Sequence, residues 1–496
     1  MMTILFNRKV DIGWILAGIT FVFHVIANPH YGFFRDELYF IICGRHPDFG
    51  YVDQPPLVPL LAAGSQLFGT SLVLLRAVSA FFSAATVWVG CRVVREIGGG
   101  TFAQWLAGIA ILLGTADSAL STDSPGMWLW TLVGLFVIRL VKGAPPTLWL
   151  WVGVAIGICL NSKYSILFFV VALFAGLILA REQRAIVSWW FVGGVGAALL
   201  LALPNLLWQA AHGYPMIELL KNGAAGKNVV VGPVEYLMRQ VLLDNPVLAG
   251  IWISGLVFSF FRAQTRWVGW TYIVLIAMMI VLHAKDYYPE AIYPLLFATG
   301  AVALESWTQG VRSLRPVIAS VAFVAGALTV PMSVPVLPEP IFVSYARGLH
   351  LTALPEENKA IGALPQYYAD MHGWPELANE VATLYDSLPP TQRMKTAIFT
   401  SNYGEAAAID FFGSRFGLPP VVCGHNQYDL WGPHGFDGNP AIVVNVDRSH
   451  AARLKVFQEI TFDNPLGMPY ENHMPILVVG GAPWIRQDWQ ELKHFD

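Results

Sequence analysis

Long runs of apolar residues occupy the first two thirds of the chain. A helix needs about 20 mostly apolar residues to cross the hydrocarbon core of a bilayer. About eleven stretches meet or approach that length, and the first follows Arg8 and Lys9 without a small-residue cleavage site, which predicts an uncleaved membrane helix. The predicted spans are 11–28, 71–91, 101–117, 124–141, 147–161, 163–180, 187–209, 245–261, 267–283, 288–306 and 314–333.

Basic residues recur in every second loop between these spans. The positive-inside rule places such loops in the cytoplasm. The amino terminus is therefore predicted to be cytoplasmic, and an odd number of spans puts everything after about residue 335 on the outer side. The basic pairs are Arg8/Lys9, Arg92/Arg95, Arg139/Lys142, Arg181/Arg184, Arg262/Arg266 and Arg312/Arg315.

The alternate loops, predicted to face outward, carry carboxylates and lysines. The first of them, 29–70, contains two partly apolar segments, 36–43 and 55–61, that predict short helices in the plane of the membrane interface. Ionisable groups at the membrane surface are costly enough to indicate function. The set is Arg35, Asp36, Glu37, Asp48, Asp53, Asp117, Asp123, Lys163, His212, Lys227, Lys285 and Asp286.

The pattern changes after a cluster of prolines between 331 and 340, which marks a linker. Strands that alternate with helices then predict a small α/β domain with a largely parallel sheet. We therefore divide the chain into a transmembrane domain, 1–334, and a soluble α/β domain, 335–496. The predicted strands are 396–400, 421–423, 442–446 and 476–479, and the predicted helices are 405–416 and 450–460.

Composition supports a membrane protein and excludes a nucleic-acid binder. The chain is 55% hydrophobic and 13% charged, whereas soluble domains carry about 25% charged residues. A net charge of −3 leaves no basic excess for nucleic acid. The predicted fold class is a polytopic α-helical membrane protein with a carboxyl-terminal α/β domain.

Two acidic sites are candidates for general acid–base chemistry. Asp36 and Glu37 lie just beyond the first span, and a carboxylate there could accept the proton of an attacking hydroxyl. Acidic residues also favour the first turn of a helix, which is the structural alternative. Asp123 lies in a Ser-Thr-Asp-Ser-Pro sequence that equally predicts a helix amino-terminal cap.

Two lysines are candidates for phosphate binding at the same surface. Lys163 lies between two closely spaced spans, and Lys285 is followed by Tyr287 and Tyr288. A lysine at this depth can hold a lipid phosphate as a point charge. It can also extend its charged end from a helix terminus into water, which is the alternative for either lysine alone.

Other polar residues give weaker indications. His212 is typical of a hydrogen-bonded loop histidine. His425 and His434, near Asp429 and Asp437, match no standard zinc spacing, so no metal ligand is assigned. No cofactor is predicted, and the spacing leaves a divalent metal undecided.

Taken in order, several motifs resemble the bacterial branch of glycosyltransferase family 39, whose relatives include protein O-mannosyltransferases and lipid A aminoarabinose transferases of the GT-C fold. The resemblance covers nearly the whole chain. It rests on RDELY at 35–39, YVDQPPL at 51–57, TDSP at 122–125, SKY at 162–164, PNLLW at 204–208, HGYP at 212–215, KDYY at 285–288, NYGEA at 402–406 and CGHN at 423–426.

The resemblance implies an inverting transfer of a sugar from a polyprenyl-phosphate donor to a glycolipid, glycan or protein acceptor, on the periplasmic side of a bacterial inner membrane. It implies Asp36 as the catalytic base with Glu37 beside it, and Asp123 as a second active-site acid. Lys163 and Lys285 would bind the donor phosphate, helped by Tyr287 or Tyr288. Weaker substrate contacts are expected from Arg35, Asp53 and His212.

Two other functions remain open from the sequence. A transporter or flippase of a lipid-linked substrate would also have many spans, but such proteins place ionisable groups near the bilayer midplane on broken helices. A non-catalytic scaffold with a periplasmic binding domain is the other alternative. The clustering of outer carboxylates and lysines favours the transferase.

Overall fold

The structure is a computed structural model that describes residues 11–115, 118–227, 229–243, 245–351, 357–436, 440–446, 454–480, 485 and 489–496. Several residues used in the sequence analysis lie outside these ranges. They are Arg8, Lys9, Asp117 and Asp437.

Each of the eleven predicted spans contains an α-helix. Within the described residues, six helical segments are at least 18 residues long and apolar enough to cross a membrane, and three of them combine an α-helix with an adjoining 3-10 turn. The other apolar helices are shorter, such as the 15 residues of Tyr293–Trp307. A multi-pass membrane protein is therefore confirmed, and the span count stays a prediction. The helices are α1 Ile12–Ala27, α2 Arg35–Arg45, α3 Leu57–Ser65, α4 Leu72–Glu96, α5 Thr101–Gly114, α6 Ser124–Val141, α7 Leu148–Leu160, α8 Ile166–Leu179, α9 Trp189–Ala211, α10 Pro215–Asn222, α11 Pro233–Leu243, α12 Ala249–Phe260, α13 Arg266–Val281, α14 Tyr293–Trp307, α15 Leu314–Thr329, α16 Glu339–Gly348, α17 Gln366–Ala369, α18 Trp374–Ser387, α19 Pro390–Arg393, α20 Tyr403–Gly413, α21 Gln427–Trp431 and α22 Trp489–Leu492.

The chain folds into two units. Unit 1 contains Met1–Pro29, Val73–Pro204 and Val230–Val336, and unit 2 contains His30–Leu72, Asn205–Val229 and Leu337–Asp496. Unit 2 therefore includes the first outer loop and part of the second, in addition to the carboxyl-terminal domain. The predicted boundary at 334/335 does not include these loops with the carboxyl-terminal domain, because it divides the chain by sequence order alone.

Unit 1 has an apolar exterior. In the most hydrophobic windows of Trp189–Ala211 and Leu314–Met332, only 22% of the residues are buried. Large side chains such as Leu200 and Val317 are exposed on these helices, at 70% and 55%. Continuous apolar surface of this kind is stable in hydrocarbon rather than water.

Ion pairs within unit 1 join loops that the charge pattern assigns to the same side. Asp11 pairs with Arg92 and Arg95, each at 2.9 Å. Glu96 pairs with Arg139 at 2.9 Å and Lys142 at 2.7 Å. The predicted inner loops thus contact one another through their charges. The predicted outer loops also contact one another through an ion pair, between Asp123 and Lys163.

Unit 2 contains a five-stranded mixed sheet of order β2-β1-β3-β5-β4. β1 is parallel to β2 and β3, whereas β5 is antiparallel to β3 and β4. The prediction of a largely parallel sheet is therefore wrong for half of the pairings. The strands are β1 Ala397–Thr400, β2 Val421–Cys423, β3 Ala441–Val444, β4 Val456–Phe462 and β5 Met474–Val479.

The predicted helix at 450–460 is also wrong. Residues 450–453 lie outside the described part of the chain, and Val456–Phe462 forms β4 at the edge of the sheet. The order of polar and apolar residues in this segment is compatible with the period of a helix and with that of a strand. Val456, Ile460 and Thr461 are β-branched, and pairing with β5 decides the outcome.

The first outer loop is built into unit 2. α2 packs against α3 and α20, and most of its residues from Leu38 to Cys43 are fully buried. Burial against α20, rather than an exposed apolar face at the membrane surface, accounts for the apolar residues of this segment.

Glycines allow α12 and α14 to pack closely, which generates a prediction about stability. A Cβ at Gly255 would lie 2.1 Å from the Leu296 carbonyl oxygen and 2.6 Å from the Gly300 nitrogen. Gly255→Ala should therefore lower the free energy of unfolding by about 1–3 kcal/mol, as expected for overpacking. The thermal midpoint of the full chain in detergent, followed by tryptophan fluorescence, measures the loss.

The matched control lies five residues earlier in the same helix. A Cβ at Gly250 meets no atom within 4 Å, so Gly250→Ala should leave the midpoint unchanged or raise it. Equal destabilisation by both substitutions would contradict the close packing.

Candidate functional site

The two adjacent carboxylates at the start of α2 have different surroundings. Glu37 is fully buried, and its Oε2 accepts a hydrogen bond of 2.9 Å from the Phe34 backbone nitrogen. The Asp36 side chain retains 33% exposure. The helix-start alternative thus accounts for Glu37, whereas Asp36 presents a carboxylate that an incoming molecule can reach.

Asp36 is held by a tyrosine from the carboxyl-terminal domain. The Tyr403 hydroxyl donates a 2.8 Å hydrogen bond to Asp36 Oδ1, and Arg35 Nε lies 3.4 Å from the same oxygen. Burial, reinforced by the charge of Asp36, raises the pKa of Tyr403 well above its usual range. The phenol therefore stays protonated and acts as a fixed donor that orients the carboxylate.

Arg35 connects the first outer loop to the carboxyl-terminal domain inside unit 2. Its Nη1 donates to the Tyr470 hydroxyl at 3.1 Å and lies 3.4 Å from Asp370 Oδ2. Its backbone nitrogen donates to the Asp370 carbonyl at 2.9 Å, and its guanidinium lies 5.4 Å from the centre of the Tyr403 ring. Arg35 is thus a positioning residue for Asp36.

Two buried carboxyl groups lie behind Arg35. Burial raises the pKa of Asp370 to about 6, although the Arg35 charge opposes the change. Burial and the charge of Asp370 raise the pKa of Glu471 well above its usual range. At neutral pH the negative charge is therefore expected on Asp370, beside the guanidinium, with the proton on Glu471.

The weaker candidates of the first and second outer loops have defined partners. Asp53 Oδ1 accepts from the Tyr39 hydroxyl at 3.0 Å. That hydroxyl in turn accepts from the Gln427 backbone nitrogen at 3.1 Å. His212 stacks on Trp208 and its Nδ1 lies 2.9 Å from the Trp208 carbonyl, as expected for a hydrogen-bonded loop histidine.

A second group of predicted site residues meets in unit 1. Asp123 occupies the amino-terminal cap position of α6, but its side chain makes no capping hydrogen bond. Its Oδ2 instead contacts Lys163 Nζ at 2.5 Å. Because the carboxylate is directed to the lysine, the capping alternative does not explain this aspartate.

Tyrosines surround the lysine. Lys163 Nζ lies 5.2 Å from the ring centre of Tyr287 and 5.0 Å from that of Tyr288. Lys285 Nζ lies 5.6 Å from the Tyr287 ring on its own loop. The structure therefore brings together Asp123, both lysines and both tyrosines, five of the predicted site residues.

Hydrogen bonds fix the loops that carry these side chains. Ser162 Oγ donates to the Thr122 carbonyl at 2.7 Å, and Tyr236 from α11 donates to the Lys285 carbonyl at 3.1 Å. Arg239, also on α11, pairs with Asp286 at 2.9 Å. That pair offsets the negative charge next to Lys285, which favours binding of an anion there.

Sequence reasoning missed Tyr403, Asp370, Tyr470 and Arg239. Tyr403 lies in the NYGEA stretch that resembles the family, yet nothing local links it to Asp36, 367 positions earlier. Asp370 and Tyr470 are equally remote from Arg35. Arg239 appears in sequence as an ordinary helical residue paired with Glu235 four positions before it.

Unit 2 also encloses a cavity of about 440 Å³. Its wall combines charged, amide and aromatic side chains, including Arg35, Lys359, Tyr403, His425, Tyr470 and Asp496. Its volume lies within the range of about 300–1,000 Å³ that is common for small-molecule sites.

Similarity to known proteins bears on the fold and the family of the chain. Residues 53–208 match the family described as dolichyl-phosphate-mannose-protein mannosyltransferase. The chain is similar to the crystal structure of ArnT from Cupriavidus metallidurans in the apo state, with a TM-score of 0.61 and 14% identity over 94% of this chain and 98% of that one. The same protein bound to undecaprenyl phosphate gives a TM-score of 0.59, with the same identity and coverage.

No curated protein sequence matches the chain significantly. The fold similarity and the family match nevertheless confirm the resemblance to GT-C glycosyltransferases that the motifs indicate.

The buried Asp370 generates a prediction about pH. Its pKa of about 6 in the folded chain exceeds its ordinary value of 3.8, so the folded chain binds the Asp370 proton more tightly than the unfolded chain. The resulting contribution to the free energy of unfolding is fully present below pH 4 and is lost as the pH rises through 6. Asp370→Asn should remove that loss, on the order of 3 kcal/mol. Thermal midpoints of wild type and of Asp370→Asn, measured from pH 4 to pH 8, give the pH dependence of stability for each protein.

An exposed aspartate provides the control. Asp386 pairs with Arg393 and its side chain is 63% exposed, so Asp386→Asn should keep the wild-type pH dependence. A wild-type slope in Asp370→Asn would refute the assigned titration.

Proposed function

We propose that this chain is an inverting glycosyltransferase that moves a sugar from a polyprenyl-phosphate-linked donor to an acceptor in the cell envelope. The observation that carries the proposal is the partly exposed Asp36 carboxylate, fixed by Tyr403 and Arg35. A fixed, reachable carboxylate is the group that a direct displacement at a sugar carbon requires.

Asp36 acts as the general base. The acceptor hydroxyl oxygen attacks the anomeric carbon of the donor while its proton passes to an Asp36 oxygen. The bond between that carbon and the phosphate oxygen breaks, and its electron pair stays on the phosphate. Attack from the face opposite the leaving group inverts the anomeric configuration.

Lys163 and Lys285 stabilise the departing phosphate. The leaving group gains negative charge as its bond to the sugar breaks, so cations already in position stabilise the transition state more than the ground state. Tyr287 and Tyr288 keep the Lys163 ammonium oriented through its contacts with their rings. Asp123 fixes the same ammonium through an ion pair.

The donor class is supported by the membrane fold and by the comparisons. The description of the matching family contains dolichyl phosphate, and one of the similar ArnT structures contains undecaprenyl phosphate. A polyprenyl donor keeps its chain in hydrocarbon while its phosphate reaches the surface. The polytopic architecture of unit 1 suits such a molecule.

The proposed location is the bacterial inner membrane. The basic loops support a cytoplasmic amino terminus, which puts the lysine cluster and the carboxyl-terminal domain on the periplasmic side. The acceptor is then a glycolipid, a glycan or a protein of the envelope. No step of this mechanism requires a metal ion.

The positions of the charges favour a transferase over a transporter. Lys163 and Lys285 lie in loops between α7 and α8 and between α13 and α14. Asp123 occupies the amino-terminal cap position of α6 rather than lying within the helix. Transporter sites characteristically lie near the midplane of the bilayer and are formed by broken helices.

The first test of the function is sugar transfer by the full chain in nanodiscs, with a panel of polyprenyl-phosphate sugars and an envelope extract as the source of acceptor. Asp36→Asn should keep the fold and the Tyr403 hydrogen bond but reduce turnover about 10²–10⁴-fold, as expected for loss of a general base. Product formation is followed by mass spectrometry.

Asp48→Asn is the matched control, because Asp48 is an exposed aspartate of the same loop whose side chain accepts a local hydrogen bond from the Phe49 backbone nitrogen. It should transfer sugar at the wild-type rate. Full activity in Asp36→Asn would reject Asp36 as the base. Movement of intact lipid-linked sugar across the bilayer without transfer would favour the transporter.

Donor binding tests the lysine cluster separately from chemistry. Lys163→Ala and Lys285→Ala should each weaken the binding of a polyprenyl phosphate by about 10–100-fold, since a hydrogen bond to a charged group contributes about 1.5–3 kcal/mol. Calorimetric titration of the lipid in detergent measures the affinity.

Lys142→Ala serves as the comparison, because Lys142 belongs to the other group of loops and pairs with Glu96. It should bind the lipid like wild type. The assignment fails if all three variants lose affinity equally.

A further inference from the structure

Two histidines and an aspartate converge on the wall of the cavity in unit 2. The potential ligand atoms of His425, His494 and Asp496 all lie within 4.8 Å of one another. His425 Nε2 is 2.7 Å from Asp496 Oδ1, and the two imidazole rings are 4.1 Å apart between centres. All three residues line the cavity, and the mechanism proposed above uses none of them.

Backbone hydrogen bonds align these side chains. The His494 nitrogen donates to the Gly424 carbonyl at 3.0 Å, and the Asn426 nitrogen donates to the His494 carbonyl at 3.1 Å. The Asp496 nitrogen donates to the Asn426 side-chain oxygen at 3.3 Å. The segment that carries His494 and Asp496 is therefore attached along the loop that carries His425.

Two residues of that loop are specialised for this contact. A Cβ at position 424 would lie 2.3 Å from the Leu492 carbonyl oxygen, so only glycine allows the approach. Asn426 has a positive φ of 51°, which is unfavourable for most residues. Local strain is retained where the surrounding structure enforces it, often at functional sites.

The hydrogen bonds of the rings are compatible with metal ligation. His494 Nδ1 lies 2.9 Å from the Leu492 carbonyl, which fixes a proton on Nδ1 and leaves the Nε2 lone pair for a ligand bond, as in many metal sites. The Tyr403 nitrogen donates a long hydrogen bond of 3.4 Å to His425 Nδ1. Ligation through His425 Nε2 moves the ring proton to Nδ1 and gives up that hydrogen bond, a cost that the metal bond must exceed.

We propose that His425, His494 and Asp496 bind a divalent transition-metal ion of the zinc class. Imidazole nitrogens and one carboxylate are a ligand set that zinc takes with a fourth position open. In a tetrahedral site, bonds of about 2.0–2.2 Å separate two ligand atoms of one ion by about 3.3–3.6 Å. Rotation of the partly exposed His494 and Asp496 side chains would bring the group to that spacing.

The three residues line a cavity that is suited to an anionic oxygen. The same wall contains Arg35 and Lys359, and Lys359 Nζ lies 4.2 Å from the Tyr470 ring centre. A water molecule or a phosphate or carboxylate oxygen would complete the coordination. This assignment stands independently of the transferase activity.

Zinc binding by the full chain tests the proposal. The protein is purified in detergent without a polyhistidine tag, loaded with zinc sulfate and dialysed against metal-free buffer, and bound zinc is counted by mass spectrometry. Wild type should retain one zinc per chain. His494→Ala and Asp496→Asn should bind zinc about 100-fold or more weakly by calorimetry, because even outer-shell partners of a metal contribute about 10–100-fold.

The control is a second histidine–aspartate pair in the same unit. His473 and Asp463 are 2.5 Å apart, and their side chains are 73% and 65% exposed, so His473→Ala should bind zinc like wild type. Thermal midpoints confirm that each variant is folded. The proposal is overturned if wild type retains no more zinc than His494→Ala, or if His473→Ala loses as much.

Discussion

The structure of unit 1 depends on one constraint, which is the scarcity of charged residues in a chain surrounded by hydrocarbon. With 13% charged residues, few ionisable groups are present, and desolvation makes each one costly without a partner. Asp11 and Glu96 each pair with two basic residues of the predicted inner loops. Asp123 pairs with Lys163 in the predicted outer loops. Charge pairing therefore organises both sets of loops, while apolar helices fill the space between.

Unit 2 uses one buried cation in the same way. Arg35 begins α2, and its partners Asp370 and Tyr470 come from segments more than 300 residues later. The buried guanidinium takes its hydrogen-bond and charge partners from the carboxyl-terminal domain, so the loop and the domain are stable together. The neighbouring Asp36 gains a fixed orientation from that arrangement, although it is not itself buried.

Sequence reasoning succeeded where the signal was local. Apolar runs and basic loops identified the helices of unit 1, and the charges beside them identified Asp123, Lys163 and Lys285 as neighbours on one side. It failed where the decision was tertiary. β4 is a strand because it pairs with β5, and Tyr403 matters because folding brings it to Asp36. His425 was compared with nearby His434, whereas the structure joins it to His494.

The carboxylates of the outer loops show why residue type alone does not identify a site. Glu37 satisfies the backbone at the start of α2 and is buried by doing so. Asp123 stands at an equivalent helix start but directs its charge to Lys163 instead. Asp36 is held by side chains and remains partly exposed. A carboxylate committed to the backbone has little capacity left for a substrate, so the partner and the exposure of each acid separate structural from chemical roles.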